Sequence, residues 1–293
     1  MCYQAGVVSS LYTAHVTVRH DEVDRFGRAH PGVYLRYLAH AAVEASSAAG
    51  YDAGWYARAG VMWLVRRSTF ELADVARAGE RLAIRTWVED FRRVRSHRRY
   101  AVHGADGRRC LEALTDWVYV DALSGRPRRV PSEFAAAFGV APGAGSGRDA
   151  WDAPPPPATA ARSVHRVRAC VVDTVGHVNN AVYLDLAAEA VLEALAAAGW
   201  SLERMIGDGG VPVLARADLE YLEPARHGDQ LEITTWFTPA AGALEAHQRI
   251  GHSAVDRTLV RAATRWRWTE PARGAHLELP DAVLDALGPL LAA

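Results

Sequence analysis

The stretch VRHDEVDRFGRAHPGVYLRYLAHAAVEA, Val18 to Ala45, decides the fold because it occurs twice. Its second copy, VRACVVDTVGHVNNAVYLDLAAEAVLEA, runs from Val167 to Ala194, so every position recurs 149 residues later. Twelve of the 28 positions are identical: Val18, Arg19, Val23, Asp24, Gly27, Val33, Tyr34, Leu35, Ala39, Ala41, Glu44 and Ala45. A fixed offset sustained over this length is the signature of an internal repeat. The same offset pairs Gly50 with Gly199, Arg67 with Arg216, Glu71 with Glu220, and Gly79 with Gly228. It pairs Leu82, Ile84, Thr86 and Trp87 with Leu231, Ile233, Thr235 and Trp236, and still holds from Thr115 and Trp117 to Thr264 and Trp266. Two copies of one unit of about 120 residues therefore make up most of the 293. The expected boundaries are an N-terminal unit 1–138, a Gly/Pro-rich linker 139–162 carrying GAGSG and PPPP, and a C-terminal unit 163–293.

Within each copy the order of elements follows from local pattern. Tyr12 to Arg19 reads as a strand, and a loop carrying Asp24 and Gly27 leads into an alanine-rich helix from about Gly32 to Ala49, with Gly50 as its stop. Apolar residues occupy most faces of VYLRYLAHAAVEA, which suits a helix wrapped by other structure. β-type runs follow, MWLVRRSTFEL, RLAIRTWVEDF, SHRRYAVHGADG and CLEALTDWVYVDALSGRP, and the second copy repeats them. One central helix followed by mostly antiparallel strands is an α+β arrangement in which the sheet can curl around the helix.

Composition removes several chemistries. Half the residues are hydrophobic, enough for a substantial core, and the formal charge of −1 argues against a general nucleic-acid binder. All 33 basic residues are arginine, which excludes a P-loop lysine, a Schiff-base lysine and a Ser-Lys dyad. Cys2, Cys110 and Cys170 are far apart and form no CxxC pair, so neither a disulfide framework nor a cysteine-rich zinc site is expected. The first residues lack a basic start with a long apolar run, and no segment reaches the ~18 apolar residues of a membrane span. A cytoplasmic protein is the expectation. No GxSxG elbow, HExxH helix or Gly-rich phosphate loop is present.

The order of elements and the loop text resemble hotdog-fold thioesterases, and two copies in one chain resemble double-hotdog forms such as plant-type acyl-ACP thioesterases. Asp173-Thr-Val-Gly-His177-Val-Asn179-Asn180 followed by Tyr183 resembles the Asp-x-x-x-His-Val-Asn-Asn segment of that family. Asp24-Arg-Phe-Gly and Tyr34 are similar to the 4-hydroxybenzoyl-CoA thioesterase pattern, an Asp followed ten residues later by a helical aromatic. The resemblance implies a tandem hotdog fold, each unit an antiparallel sheet wrapped around a central helix. It implies hydrolysis of an acyl-CoA or acyl-carrier-protein thioester to the free acid, in fatty acid or polyketide metabolism, with no cofactor and no metal.

Thioester hydrolysis needs a group that attacks or activates water and a place for the charge developing on the carbonyl oxygen. A carboxylate supplies the first. A helix N-terminus, with free N–H groups and the positive dipole end, supplies the second. The family's oxyanion donor, the N–H seven residues after the Asp, maps to Asn180 and, in the first half, to Pro31, which has none. Losing such a donor costs roughly 2.7 to 4 kcal/mol of transition-state stabilisation, so the first half reads as impaired. The expected catalytic set is Asp173, His177, Asn179 and Asn180, with Asp24 weaker. Val175 stands where the plant enzymes carry Asn, which leaves the placement of water open.

Each assignment has a structural alternative. Both aspartates can cap a helix, and the asparagines can be turn formers. Glu44 and Glu193 recur on the helix, where some hotdog enzymes carry a catalytic carboxylate and others a buried hydrogen bond. Tyr34 and Tyr183 are candidate substrate-binding residues. The arginines Arg92, Arg93, Arg95, Arg98 and Arg99 either receive the phosphates of CoA or an acidic carrier protein, or face solvent on a sheet edge. Trp55, Trp63 and Trp200 either line an acyl pocket or fill core. Two other functions stay open: acyl transfer or decarboxylation on a thioester, and non-catalytic thioester binding. Neither half carries the hydratase-type Asp-x-Asn-x-x-His segment. A monomer of two units or a homodimer both fit.

Overall fold

The computed structural model describes residues 11–140, 151–255 and 257–292. The GAGSG part of the linker, Cys2 and most of the opening segment lie outside the described residues. The first unit comprises β1 (Tyr12–Thr17), α1 (Pro31–Ala48), α2 (Ala53–Ala59), β2 (Val61–Leu72), β3 (Arg81–Phe91), β4 (Arg95–Gly104), β5 (Arg109–Asp121) and α3 (Glu133–Ala137). The second repeats the plan with β6 (Ala161–Arg166), α4 (Asn180–Ala197), α5 (Leu202–Gly207), β7 (Val211–Tyr221), β8 (Gln230–Ala240), β9 (Ala243–His252) and β10 (Thr258–Thr269). A two-residue β11 (His276–Leu277) on β10 and α6 (Asp281–Leu287) follow. β6 starts at Ala161, inside the stretch expected to be linker.

The strands form one antiparallel sheet in the order β1-β3-β4-β5-β2-β7-β10-β9-β8-β6. Each unit is thus an antiparallel sheet with one long helix, the hotdog arrangement, and the β2–β7 pairing joins the two sheets edge to edge. That junction covers two strand edges that would otherwise be unpaired. In it Thr69 lies opposite Asp218, the same position of the two copies, so the pseudo-twofold axis passes between them. Arg67 donates to both carboxylate oxygens of Asp218 from Nε (2.8 Å) and Nη2 (2.7 Å), and the Thr69 hydroxyl donates to Oδ1 (3.1 Å).

The long helices form where the wrapped alanine-rich pattern places them. α1 buries Val33, Tyr34, Leu35, Tyr37, Leu38, Ala41, Ala42 and Ala45, and α4 buries Tyr183, Leu184, Ala187, Val191 and Leu195. They pack on each other, and one core of buried residues runs through both units, including the repeated pairs Leu82 and Leu231 and Ile84 and Ile233. Area-proportional burial of this kind is the main favourable term of the fold. The first unit carries a second, aromatic cluster, in which Phe134 of α3 sits 4.2 Å from Tyr51 and Trp63 sits 4.9 Å from Tyr119.

Candidate functional site

Both copies of the Asp-x-x-Gly loop fold alike. In the second, Asp173 N–H donates to the His177 carbonyl (2.9 Å), Gly176 N–H donates to the Asp173 carbonyl (3.0 Å), and a one-rung bridge joins Val172 to Val178. Gly176 has φ +81°, and its counterpart Gly27 has +74°, which explains why glycine recurs there. The repeated tyrosines anchor the β2–β3 and β7–β8 connections, which in turn hold the Asp loops, Ala29 N–H donating to the Ala76 carbonyl (2.9 Å) and Val178 N–H to the Ala225 carbonyl (2.9 Å). The Tyr34 hydroxyl accepts the Ala76 N–H (2.8 Å) and the Tyr183 hydroxyl accepts the Ala225 N–H (3.0 Å), positions again related by the repeat. Both rings are buried. Burial pushes the Tyr183 phenol up to about 12, so it is neutral. These tyrosines therefore hold the aspartate loops indirectly, through the connections that pair with them.

The chemistry of the two loops differs. In the first, Asp24 Oδ1 accepts the N–H groups of Phe26 (2.8 Å) and Arg28 (3.0 Å), and Oδ2 accepts Arg28 Nε (2.9 Å). Arg28 is 7% exposed and covers the Phe26 ring, so Asp24 is neutralised by its own loop. In the second, His177 stands where Arg28 does. Asp173 Oδ1 accepts the Val175 N–H (2.9 Å), and Oδ2 takes no hydrogen bond from the described residues. His177 is held below its ordinary 6.5, first by burial and then by Arg226, against the opposing pull of Asp173, so it is neutral at pH 7.

The helix ends differ in the same sense. α4 is N-capped by Asn179, whose Oδ1 accepts the Ala181 N–H (3.0 Å). Its first residue, Asn180, presents an N–H with no acceptor among the described residues, while the Tyr221 hydroxyl donates to the Asn180 carbonyl (3.2 Å). In α1 the first residue is Pro31, and the next N–H, of Gly32, donates to Asp185 Oδ1 (3.0 Å) of α4. Arg36 pairs with the other Asp185 oxygen. The anion position at the α1 N-terminus is thus filled by a carboxylate of the protein itself. A Cβ at Gly32 would overlap the Asp185 carboxylate, so glycine is what lets that carboxylate reach the N–H.

Two cavities adjoin these loops. One of about 790 Å³ lies at the Asp24 loop, with Asp185, Leu192, Leu214 and Trp266 from the second unit in its wall. The other, about 420 Å³ and largely apolar, takes in Thr174, next to Asp173, and is otherwise built from the first unit: Val43 and Ser46 of α1, Tyr56 of α2, Trp63 of β2, Phe91 of β3, Arg98 of β4, Trp117 of β5 and Phe138 beyond α3. The Tyr56 hydroxyl accepts the Trp63 indole N–H (3.1 Å), which fixes one wall. The structure thereby brings the Asp173 loop of one unit to an apolar cavity of the other.

The remaining expected residues fall elsewhere. Arg92 and Arg93 lie in the β3–β4 turn; Arg92 pairs with Asp90 (2.9 Å), Arg95 with Asp116 (3.2 Å) and Arg99 with Glu89 (3.0 Å). Three of the five arginines are therefore neutralised by carboxylates on neighbouring positions, two of which, Asp90 and Asp116, also flank the buried His97. Arg98 alone turns inward. Glu44 pairs with His40 on the helix surface (3.3 Å), and Glu193 lies 3.7 Å from His165. Trp63 lines the cavity, Trp55 joins the aromatic cluster, and Trp200 lies under Arg204 at 4.0 Å. No cluster of three or more residues able to hold a metal ion occurs among the described residues. The lining residues Ser46, Tyr56 and Phe138 carried no sequence signal; only the spatial closeness of α1, α2 and the segment after α3 assembles them.

Residues 9–138 match the family of acyl-ACP thioesterase N-terminal domains, and residues 167–287 match the thioesterase-like superfamily. No curated protein matches the chain by sequence. Among solved structures, a Lactobacillus plantarum protein assigned as an oleoyl thioesterase is 20% identical with a TM-score of 0.75, over 88% of this chain and 96% of that one. An acyl-ACP thioesterase from Bacteroides thetaiotaomicron is 17% identical with a TM-score of 0.70, over 88% and 98%. The 12:0-ACP thioesterase from Umbellularia californica is 15% identical with a TM-score of 0.69, over 89% and 95%. With an acyl-ACP thioesterase N-terminal domain match over its first repeat, a thioesterase-like superfamily match over its second and the hotdog fold in both, this chain is a thioester hydrolase built of two thioesterase-type units.

Proposed function

We propose that hydrolysis takes place at one site, shared between the units, with the Asp173 loop supplying the chemistry and the cavity of the first unit receiving the acyl group. The observation that carries this reading is the asymmetry of the repeat: Asp173 keeps an unspent carboxylate oxygen beside a neutral His177 and a free Asn180 N–H, whereas Asp24 is spent on Arg28 and its helix end on Asp185. Asp173 attacks the thioester carbon or activates the water that does. The Asn180 N–H receives the developing oxyanion, Asn179 fixes the helix start, and His177 holds water or the carboxylate by hydrogen bonding. Tyr183 and Tyr34 act on substrate through the loops they hold.

The carrier in this reading is an acyl-carrier protein or CoA, with the surface arginines of the β3–β4 turn, Arg93 above all, meeting its phosphate or acidic face. The pathway is fatty acid or polyketide metabolism in the cytoplasm, and one chain suffices because it already contains both units. No helix among the described residues is long and apolar enough to cross a membrane. The test is thiol release from acyl-carrier-protein and acyl-CoA substrates by wild type, Asp173→Asn and Asp24→Asn. Asp173→Asn loses about 10²- to 10⁴-fold in kcat/KM, while Asp24→Asn keeps its activity wherever it remains folded. Equal loss in both variants, or release of carbon dioxide with retention of the acyl group on the carrier, refutes the reading.

A further inference from the structure

Arg98 is a buried cation that the fold does not use. It lies on β4 opposite Val88 and Thr115, is 7% exposed, and lines the apolar cavity. Its recorded contacts are neutral: Nη1 donates to the Thr86 hydroxyl at a long 3.3 Å, and the guanidinium lies 5.6 Å from the Phe138 ring. No Asp or Glu among the described residues pairs with it, unlike Arg92, Arg95 and Arg99 on the same hairpin. Burial pulls its pKa below the ordinary guanidinium range, yet arginine stays charged in proteins. An ion removed from water without a partner is costly, so its retention calls for an occupant that compensates it.

The duplication supplies a control. Val88 recurs as Phe237, and the residue paired with Phe237 in the second unit is Ala246. The same place in the same fold is therefore closed with an apolar pair, Phe237 and Ala246 both being fully buried. Two serines at the cavity are already spent, Ser46 on the Tyr51 carbonyl (2.9 Å) and Ser96 on the Asp90 carbonyl (3.1 Å), while the Trp117 indole N–H in its wall is buried without a partner among the described residues. Arg98 is left with unspent N–H donors in an aromatic slot that takes in Thr174.

We infer that Arg98 is a specificity-determining residue, and that the cavity accepts an acyl group whose far end carries an anionic oxygen, a carboxylate or a phenolic oxygen, in preference to a plain hydrocarbon end. The inference rests on the proposed reading of this cavity as the acyl site. A carboxylate meets the planar guanidinium in two parallel hydrogen bonds, and a phenolate meets it through one oxygen with its ring between the aromatic walls.

The test uses the full chain and straight-chain acyl thioesters that differ only in ending in methyl or carboxylate, with a hydroxyaryl acyl thioester as a third arm. Binding of the matching free acids is measured by calorimetry alongside. Wild type favours an oxygen-ended substrate by about ten- to a hundredfold in kcat/KM. Which oxygen-ended arm leads tells carboxylate from phenol. Arg98→Met, close in length and uncharged, abolishes that ratio, and Arg98→Lys, which keeps the charge for use if the methionine variant does not fold, retains part of it. A wild-type ratio near one, or a ratio unchanged in Arg98→Met, overturns the inference even if hydrolysis is brisk. Absence of all hydrolysis with acid binding that still depends on Arg98 sustains it and overturns the thioesterase site instead.

Discussion

At the scale of single residues, the two units differ by a handful of atoms at equivalent positions, and the difference can be transplanted. Asn179 has φ −58° and ψ 136°, and His30 has φ −60° and ψ 146°. Both are extended, the conformation that a following proline demands. Proline is also at home in the first position of a helix, where its N–H is missed by no helical acceptor. Asn180→Pro therefore copies Pro31 into the second unit without disturbing α4, and what it removes is the N–H assigned to the oxyanion. It is expected to lower kcat by about 10²- to 10³-fold with little change in KM or melting temperature. A loss confined to KM, or none at all, removes Asn180 from the oxyanion role. Much of this contrast was legible in the sequence, because Pro31 against Asn180 is a covalent fact. Its two other parts were not. Arg28 is paired to Asp24 by side-chain direction, and Asp185 reaches Gly32 across 153 positions of chain.

At the scale of elements, the two N-terminal turns of α1 and α4 are coupled through Asp185, and magnitudes decide what Gly32→Ala does. Alanine in place of glycine within a helix is favourable by about 0.5 to 1 kcal/mol. Displacing the Asp185 carboxylate from the Gly32 N–H forfeits a hydrogen bond to a charged group, about 1.5 to 3 kcal/mol. The substitution is therefore destabilising by about 1 to 2 kcal/mol in wild type and neutral or stabilising in an Asp185→Ala background. Denaturant midpoints of the four proteins of that cycle check it, and additivity within error refutes the coupling. The strands show why sequence alone stops short here. The repeat keeps its offset of 149 at Thr86 and Thr235 and again at Thr115 and Thr264, yet Thr86 pairs with Tyr100 while Thr235 pairs with Gln248, an offset of 148. The β3–β4 turn is one residue longer than its counterpart and the next turn one shorter. Ungapped comparison matches Arg98 to His247, and only the ladder reveals Ala246 as its true equivalent.

At the scale of the whole molecule, the proposed sharing of one site between units predicts that the β2–β7 seam is part of the catalytic apparatus. The cavity proposed for the acyl group belongs to the first sheet and its helices, the Asp173 loop to the second, and their relative position is set by α1 against α4 and by the seam. The charged element there is asymmetric. The repeat gives each unit an arginine, Arg67 and Arg216, but the facing positions on the axis are Asp218 and Thr69, so only one of the two axial positions carries a carboxylate, while Arg66 pairs with Glu220 (3.4 Å) farther along the seam. Side chains of Arg67 and Asp218 are 14% and 11% exposed, so screening by solvent is slight and the pair behaves as a buried one. Replacing such a pair with apolar groups can be neutral, but removing one partner leaves a buried charge and costs about 3 to 5 kcal/mol. Asp218→Ala is expected at the low end of that cost, because the Thr69 hydroxyl and nearby backbone remain to solvate Arg67. An apolar pair, Arg67→Met with Asp218→Leu, recovers most of the stability. The measurement that matters is kcat/KM in the two variants at a temperature where both are folded. A seam that only stabilises leaves activity intact in both. A seam that sets the distance between cavity and loop loses activity in Asp218→Ala and regains it in the apolar pair together with stability, and failure of the two to recover together separates the site from the junction.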